Sequence, residues 1–144
     1  ICTVLVKVCG YRAANVAIAN HDAGKTVRFA VIVGFDDGYL EKARITWGDG
    51  PTAQGPTGTA IREGTVQVNQ NFETNPRMAL WREDARKHGF QASVSLPLRA
   101  GGEIFGALTL YAAEPDAFND DELSMLMLCA DNISYGVTAL RTRQ

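Results

Sequence analysis

Ala92-Ser93-Val94-Ser95-Leu96-Pro97-Leu98 and Ile104-Phe105-Gly106-Ala107-Leu108-Thr109-Leu110-Tyr111 are two short apolar runs, joined by Arg99-Ala100-Gly101-Gly102-Glu103. Runs of this length around a Gly-Gly loop predict a β-hairpin. Along the first run Ser93 and Ser95 alternate with Ala92, Val94 and Leu96. Successive side chains of a strand point to opposite faces, so one face is polar enough to floor a pocket. Pro97 comes late in its strand and predicts an open edge or a bulge. Downstream, Asn119 with Glu122 three places on marks a helix start. Leu123, Leu126, Ala130, Ile133, Val137 and Leu140 then recur at steps of three and four, the a/d seam of a long helix.

Upstream, residues 14–19 read as a buried strand, His21-Asp22-Ala23-Gly24 as a turn, and residues 27–33 as the hairpin partner. Residues 1–10 admit two readings. Their Val, Ile and Thr favour strand, while Ile1, Leu5 and Val8 share a helical face. Asp37-Gly38 ends the second strand, and residues 39–47 read as a short helix or an extended arm. Residues 48–58 are too rich in Gly and Pro for a regular element. Residues 57–62 start a short helix that Gly64 stops, and residues 66–68 form a short strand. A polar loop around Phe72 leads to a helix over 78–88, ended by Gly89. Two hairpins in one sheet, with helices on its faces, predict an α+β antiparallel sandwich. The regular strand–helix alternation of a parallel doubly wound fold is missing.

The chain has 144 residues, 46% of them hydrophobic and 21% charged, with a formal net charge of −2. That length suits one domain spanning 1–144, able to bury roughly 70% of the surface its unfolded form exposes. The composition excludes a disordered or fibrous chain. No apolar run approaches the ~20 residues that cross a bilayer, and direct membrane contact is not expected. The 14 basic and 16 acidic residues are spread along the chain, so no basic patch offers itself to nucleic acid. Cys2, Cys9 and Cys129 have neither zinc-ligand nor paired spacing and read as buried thiols of a reducing cytoplasm. His21 and His88 form no triad or metal cluster. Asp36-Asp37 and Asp120-Asp121 read as turn and helix-start residues. An Ile start and a helical pattern at the end read as a fragment of a longer protein.

Several stretches, in order, are similar to the GAF domains of bacterial sensor kinases and cyclic-di-GMP signalling proteins. They are Gly10-Tyr11-Arg12, Gly34-Phe35-Asp36-Asp37-Gly38-Tyr39-Leu40 and, most telling, Gly55-Pro56-Thr57-Gly58-Thr59-Ala60-Ile61-Arg62-Glu63-Gly64. Trp81-Arg82-Glu83, Ser95-Leu96-Pro97-Leu98, Phe105-Gly106-Ala107-Leu108 and Glu114-Pro115-Asp116-Ala117-Phe118 complete the set. The resemblance implies a GAF/PAS-like central antiparallel sheet of five or six strands, with terminal helices on one face and a roofed pocket on the other. It makes residues 1–10 the end of a first helix and residues 120–144 a C-terminal helix leading into a signalling linker. It also implies a homodimer through the terminal helices and an output domain in the same chain. Some members reduce free methionine sulfoxide with a cysteine where this chain has Gly55-Pro56-Thr57-Gly58. Thr57 stands in that region, and a hydroxyl cannot do thiolate chemistry. The Asn-Lys-Phe-Asp-Glu pattern of cyclic-nucleotide members is absent, as is any cysteine between Cys9 and Cys129 to hold a bilin. No cofactor is identified; noncovalent haem would need an axial ligand such as His88.

Trp47, Phe72, Met78, Trp81 and Phe90 are candidates to wall the pocket, or to form the small core that holds its roof. Arg82 offers a bidentate fork to a carboxylate or phosphate, or a surface salt bridge with Glu83 or Asp84. Thr57 and Thr59 present hydroxyls to a ligand beside a helix N-terminus, or cap that helix. Ser95, with Ser93, supplies the polar floor. Trp47, Thr57, Phe72, Trp81, Arg82 and Ser95 are therefore the candidate ligand-binding set, with no catalytic residue and no metal ligand among them. The expectation is a cytoplasmic sensor module for an unidentified small molecule, and the alternative is a ligand-free dimerisation module built on the Leu123–Leu140 seam.

Overall fold

The computed structural model describes residues 10–34, 45–48, 50, 53 and 55–142, with side chains as far as residue 136. The readings of residues 1–9 and 35–44, and of the Val137 and Leu140 side chains, lie outside the described residues. In chain order come β1 (Ala13–Ala19), β2 (Val27–Val33), α1 (Pro56–Glu63), β3 (Gln67–Asn69) and a 3-10 turn (Pro76–Met78). Then follow α2 (Arg82–His88), β4 (Ala92–Ala100), β5 (Glu103–Ala112) and α3 (Asp120–Thr142).

The strands form one five-stranded antiparallel sheet in the order β2-β1-β5-β4-β3. Pairing of β1 with β5 brings the first hairpin against the last. Cross-strand partners share a face, so Val94 opposite Leu110 and Leu96 opposite Leu108 extend to Ala14 and Val16 on β1. This face is a buried apolar surface packed by Phe118, Leu126 and Ala130. The opposite face carries Asn15, Thr109, Ser95, Ser93, Tyr111 and Asn69, paired in the same register and all buried. Because both faces are covered, β4 and β5 read as nearly continuous apolar runs, with the polar alternation hidden among small residues.

The hairpin loop is tighter than the sequence predicts. Ala100 pairs with Glu103, leaving only Gly101 and Gly102, both at positive φ, as a two-residue turn suited to the strand twist. Pro97 sits both past the end of β3 and beside an irregularity between Leu98 and Arg99. Its missing N–H therefore interrupts no β3 ladder. The predicted 66–68 strand shifts by one residue. The predicted helix over 78–88 is broken: Asn75 caps the 3-10 turn at Pro76, and α2 starts only after Trp81. A cap plus proline nucleates the tighter turn, which does not propagate as an α-helix.

Helix α3 starts as expected, with the Glu122 N–H donating to Asn119 Oδ1 at 2.9 Å. The Glu122 carboxylate accepts from the Tyr11 hydroxyl, which ties the chain ahead of β1 to the helix start. The seam needs a correction. Leu126 and Ala130 are buried, and Leu123 and Ile133 pack, against the domain's own sheet, so these four are not available to a partner helix. Among the described residues of α3, the exposed large apolar ones are Met125, Met127, Leu128 and Tyr135, beside the seam rather than on it.

Close approach of β1 and β5 rests on Gly106, where a Cβ would stand 2.0 Å from the Ala17 carbonyl oxygen. The atoms it would meet are all β1 backbone, which leaves no side chain to move aside. Gly106→Ala is expected to cost roughly 1–3 kcal/mol, read as a lower urea midpoint at unchanged m-value.

Candidate functional site

Between the polar face and the segments above it lies a cavity whose space for the centres of water molecules is about 20 Å³, room for about one water. It is lined by the floor residues Ser93, Thr109 and Tyr111, by the α1 start at Gly55, Pro56, Thr57 and Gly58, and by Ile45, Met78 and Trp81. Glycine and proline bring the helix start this close. A Cβ on Gly55 would lie 2.5 Å from the Trp81 ring, and one on Gly58 would lie 2.3 Å from the Thr46 carbonyl oxygen.

The floor is a network of neutral groups. Thr57 Oγ1 lies 3.0 Å from Thr109 Oγ1 and 3.3 Å from Ser95 Oγ, and these two lie 2.7 Å apart. Three hydroxyls in a triangle can satisfy each other's protons while each keeps acceptor capacity. Asn69 donates to Ser93 Oγ at 3.4 Å and accepts from Asn75 at 3.1 Å, which joins the floor to the roof loop. Asn15, directly opposite Thr109, is fully buried, and neither its Oδ1 nor its Nδ2 has a partner at hydrogen-bond geometry. An amide left so costs about 1–3 kcal/mol. Burial pushes the Tyr111 phenol well above the ordinary tyrosine range, with the Asn15 amide pulling against it, so the hydroxyl stays neutral at physiological pH.

Helix α1 begins without a side-chain cap and without an acidic residue in its first turn. Pro56 has no N–H, and the first helical bond runs from the Thr59 N–H to the Gly55 carbonyl. The Thr57 hydroxyl, a candidate cap, belongs instead to the floor triangle. This buried positive end of the helix dipole meets a surface of hydroxyls.

The roof is aromatic and tied down. Phe72, Met78, Trp81, Phe90 and Tyr111 form one buried cluster, with Phe90 and Tyr111 ring centroids 4.6 Å apart. Arg82 donates from Nε to the Phe72 carbonyl at 2.9 Å and from Nη2 to the Asn75 carbonyl at 3.1 Å. Arg86 makes a two-pronged pair with Glu73 at 2.8 and 2.7 Å, holding the Glu73 carboxyl below its ordinary range.

Of the six residues singled out from sequence, Thr57 and Trp81 line the cavity, and Ser95 lies in the triangle beneath Thr57. Phe72 is core, turned toward Tyr111. Trp47 is elsewhere: its Nε1 donates to the Asn20 carbonyl at 2.9 Å and its ring stacks under Lys25, bracing the β1–β2 turn. Arg82 has neither expected role, since its guanidinium holds roof carbonyls. His88 turns its Nδ1 to the Asp84 carbonyl and does not line the cavity. Cys129, on α3, packs toward the apolar face, across the sheet from the cavity. Asn15, Thr109 and Tyr111 went unmarked in the sequence. Asn15 carried a signal, as the lone polar residue in Ala13-Ala14-Asn15-Val16-Ala17.

A family model described as a GAF domain matches residues 1–137. No curated protein matches the chain in sequence. Among solved structures, the chain is similar to a domain of a protein assigned as a two-component sensor histidine kinase from Sinorhizobium meliloti 1021. That match has 18% identity and a TM-score of 0.74, over 99% of this chain and 89% of the other. It is also similar to the free methionine-R-sulfoxide reductase of Neisseria meningitidis in complex with its substrate, at 17% identity and TM-score 0.77, over 99% and 77% of the two chains. A third is NreA of Staphylococcus aureus, mutated in its nitrate binding site, at 17% identity and TM-score 0.59, over 81% and 87%. Likeness at these identities carries the fold.

Removing the orphaned amide separates a structural from a functional role. Asn15→Val is expected to stabilise the free protein by about 1 kcal/mol, read as a higher urea midpoint. A loss of stability instead would mean that the amide holds the sheet together.

Proposed function

The chain belongs to the GAF family, and from that premise we propose that it is the ligand-sensing module of a larger cytoplasmic signalling protein. The carrying observation is the uncapped start of α1 over a buried floor of hydroxyls, with the Asn15 amide, short of full hydrogen-bond geometry, next to Thr109 in the sheet. Such a helix end favours an anion or the acceptor atoms of a polar group. No basic side chain lines the cavity among the described residues. The ligand is therefore a small polar molecule with a singly charged or strongly accepting end. It sits against the Thr57 and Gly58 N–H groups, with Ser93, Thr109 and Tyr111 below and Trp81 above. NreA's nitrate site and the reductase's bound substrate make small polar ligands a fair expectation for this fold. With room for about one water at present, anything larger requires the roof or α1 to shift. A shift of that kind is what a sensor needs, since a ligand that binds two arrangements equally changes nothing.

The reading is binding rather than catalysis. The lining residues carry hydroxyl, aromatic and apolar groups or are glycines, with no thiol, imidazole or carboxylate for nucleophilic or acid–base work among those described. The signal passes to an output domain of the same chain, of the sensor-kinase or cyclic-di-GMP kind.

A ligand-free dimerisation module is the second reading. Met125, Leu128 and Tyr135, exposed at steps of three and seven on α3, favour it. The seam first expected for that role faces the domain's own core as far as Ile133.

Native mass spectrometry of the purified chain, together with thermal melts in nitrate, formate, acetate and neutral polar metabolites, tests the proposal. A retained mass lost on denaturation is expected, or a ligand that stabilises by about 2.7 kcal/mol at a hundredfold excess over its Kd. Asn15→Val and Thr57→Val should each weaken that effect at least tenfold. A dimer with no bound mass and no stabilising ligand would sink sensing and favour the second reading.

A further inference from the structure

Resting on that reading, we propose that Arg99 couples α1 to α3 and is the contact through which a change at the cavity reaches the C-terminal helix. Helix α1 touches the cavity only with its first residues and ends at Gly64, whose left-handed backbone at φ 71° closes it. The Gly64 carbonyl accepts from Nη2 of Arg99. The Arg99 backbone N–H donates to Ser134 Oγ on α3 at 3.1 Å. One residue thus holds the far end of the cavity helix with its side chain and the C-terminal helix with its backbone.

Two features make this contact movable. It lies past the end of β3, where β4 has no outer neighbour strand, and beside the register irregularity between Leu98 and Arg99. Irregularities of this kind re-aim a side chain and loosen the local ladder. Finally, Gly64 and Arg99 line a groove of about 170 Å³ whose other wall carries Asp131 of α3, one turn before Ser134. Asp131 is a second acceptor within the same groove. When α1 draws Gly64 away, the guanidinium turns to that carboxylate and trades a tie to α1 for a tie to α3. The two positions of Arg99 are the two states that coupling requires.

Amide exchange by NMR on the chain without ligand tests the coupling, with substitution of Thr57 standing in for a change at the cavity. Thr57→Val breaks the hydroxyl triangle at the start of α1. It is expected to change exchange at the Arg99 amide and at α3 amides 130–136 at least about fivefold. In an Arg99→Met background the same substitution should change the α3 amides less than twofold, and Asp131→Asn should shrink the response. If Thr57→Val fails to fold, Thr57→Ala serves as the perturbation. An α3 response of equal size without the guanidinium would mean that the sheet carries the coupling, and the proposal fails. No response at α3 while α1 responds would overturn it as well. Because no ligand enters, a failure here is separate from a failure to find a bound molecule.

Discussion

The antiparallel register of β1, β5 and β4 is the constraint on which the other features depend. Pairing Asn15 with Thr109 and Thr109 with Ser95 places every hydroxyl and amide of the three central strands on one face. It sends Val16, Leu108 and Leu96 to the other. A slip of one residue would put leucines under α1 and hydroxyls under Leu126, exposing or burying each set wrongly. Gly101-Gly102 and Gly106 protect that register, the first pair by setting the turn and the last by letting β1 approach.

Two chemically opposite faces lead to two kinds of covering. The apolar face takes the long amphipathic α3, whose seam residues close an ordinary core. The polar face cannot be closed in that way, because hydroxyls and an amide under apolar side chains would lose their partners. It is covered by a helix start rich in Gly and Pro and by an aromatic roof that packs on Tyr111 and leaves a small cavity beside it. The Asn15 amide and the uncapped α1 start remain as local costs to stability, and such costs gather where a ligand is bound.

The roof and the C-terminal helix stand on opposite sides of a sheet one strand thick. Arg82 and Arg86 hold the roof loop to α2 by its carbonyls and by Glu73, so the roof moves as a unit if it moves. At the edge of the sheet, where β3 stops, Arg99 and Ser134 join the cavity side to the α3 side without passing through the strands. Fold and candidate regulation thus meet at the edge left open by a three-residue strand.

Elements whose signal is local were legible in the sequence. The two hairpins, the Asn119 helix start, the glycine stop of α1 and the polar alternation at Ser93 and Ser95 depend on turn chemistry, caps and period, which act over a few residues. The α+β class followed from their order. Tertiary structure decided which residues meet. Trp47 and Phe72 are aromatic enough to wall a pocket, but one braces a turn and the other fills the roof core. Arg82 had two plausible partners nearby and took neither, because two roof carbonyls needed donors. Leu126 and Ala130 carry the same spacing whether they face a second helix or their own sheet. Periodicity states that a face is buried and not what buries it, and Asn15, Thr109 and Thr57 come together only through strand pairing and helix placement across 94 positions of chain.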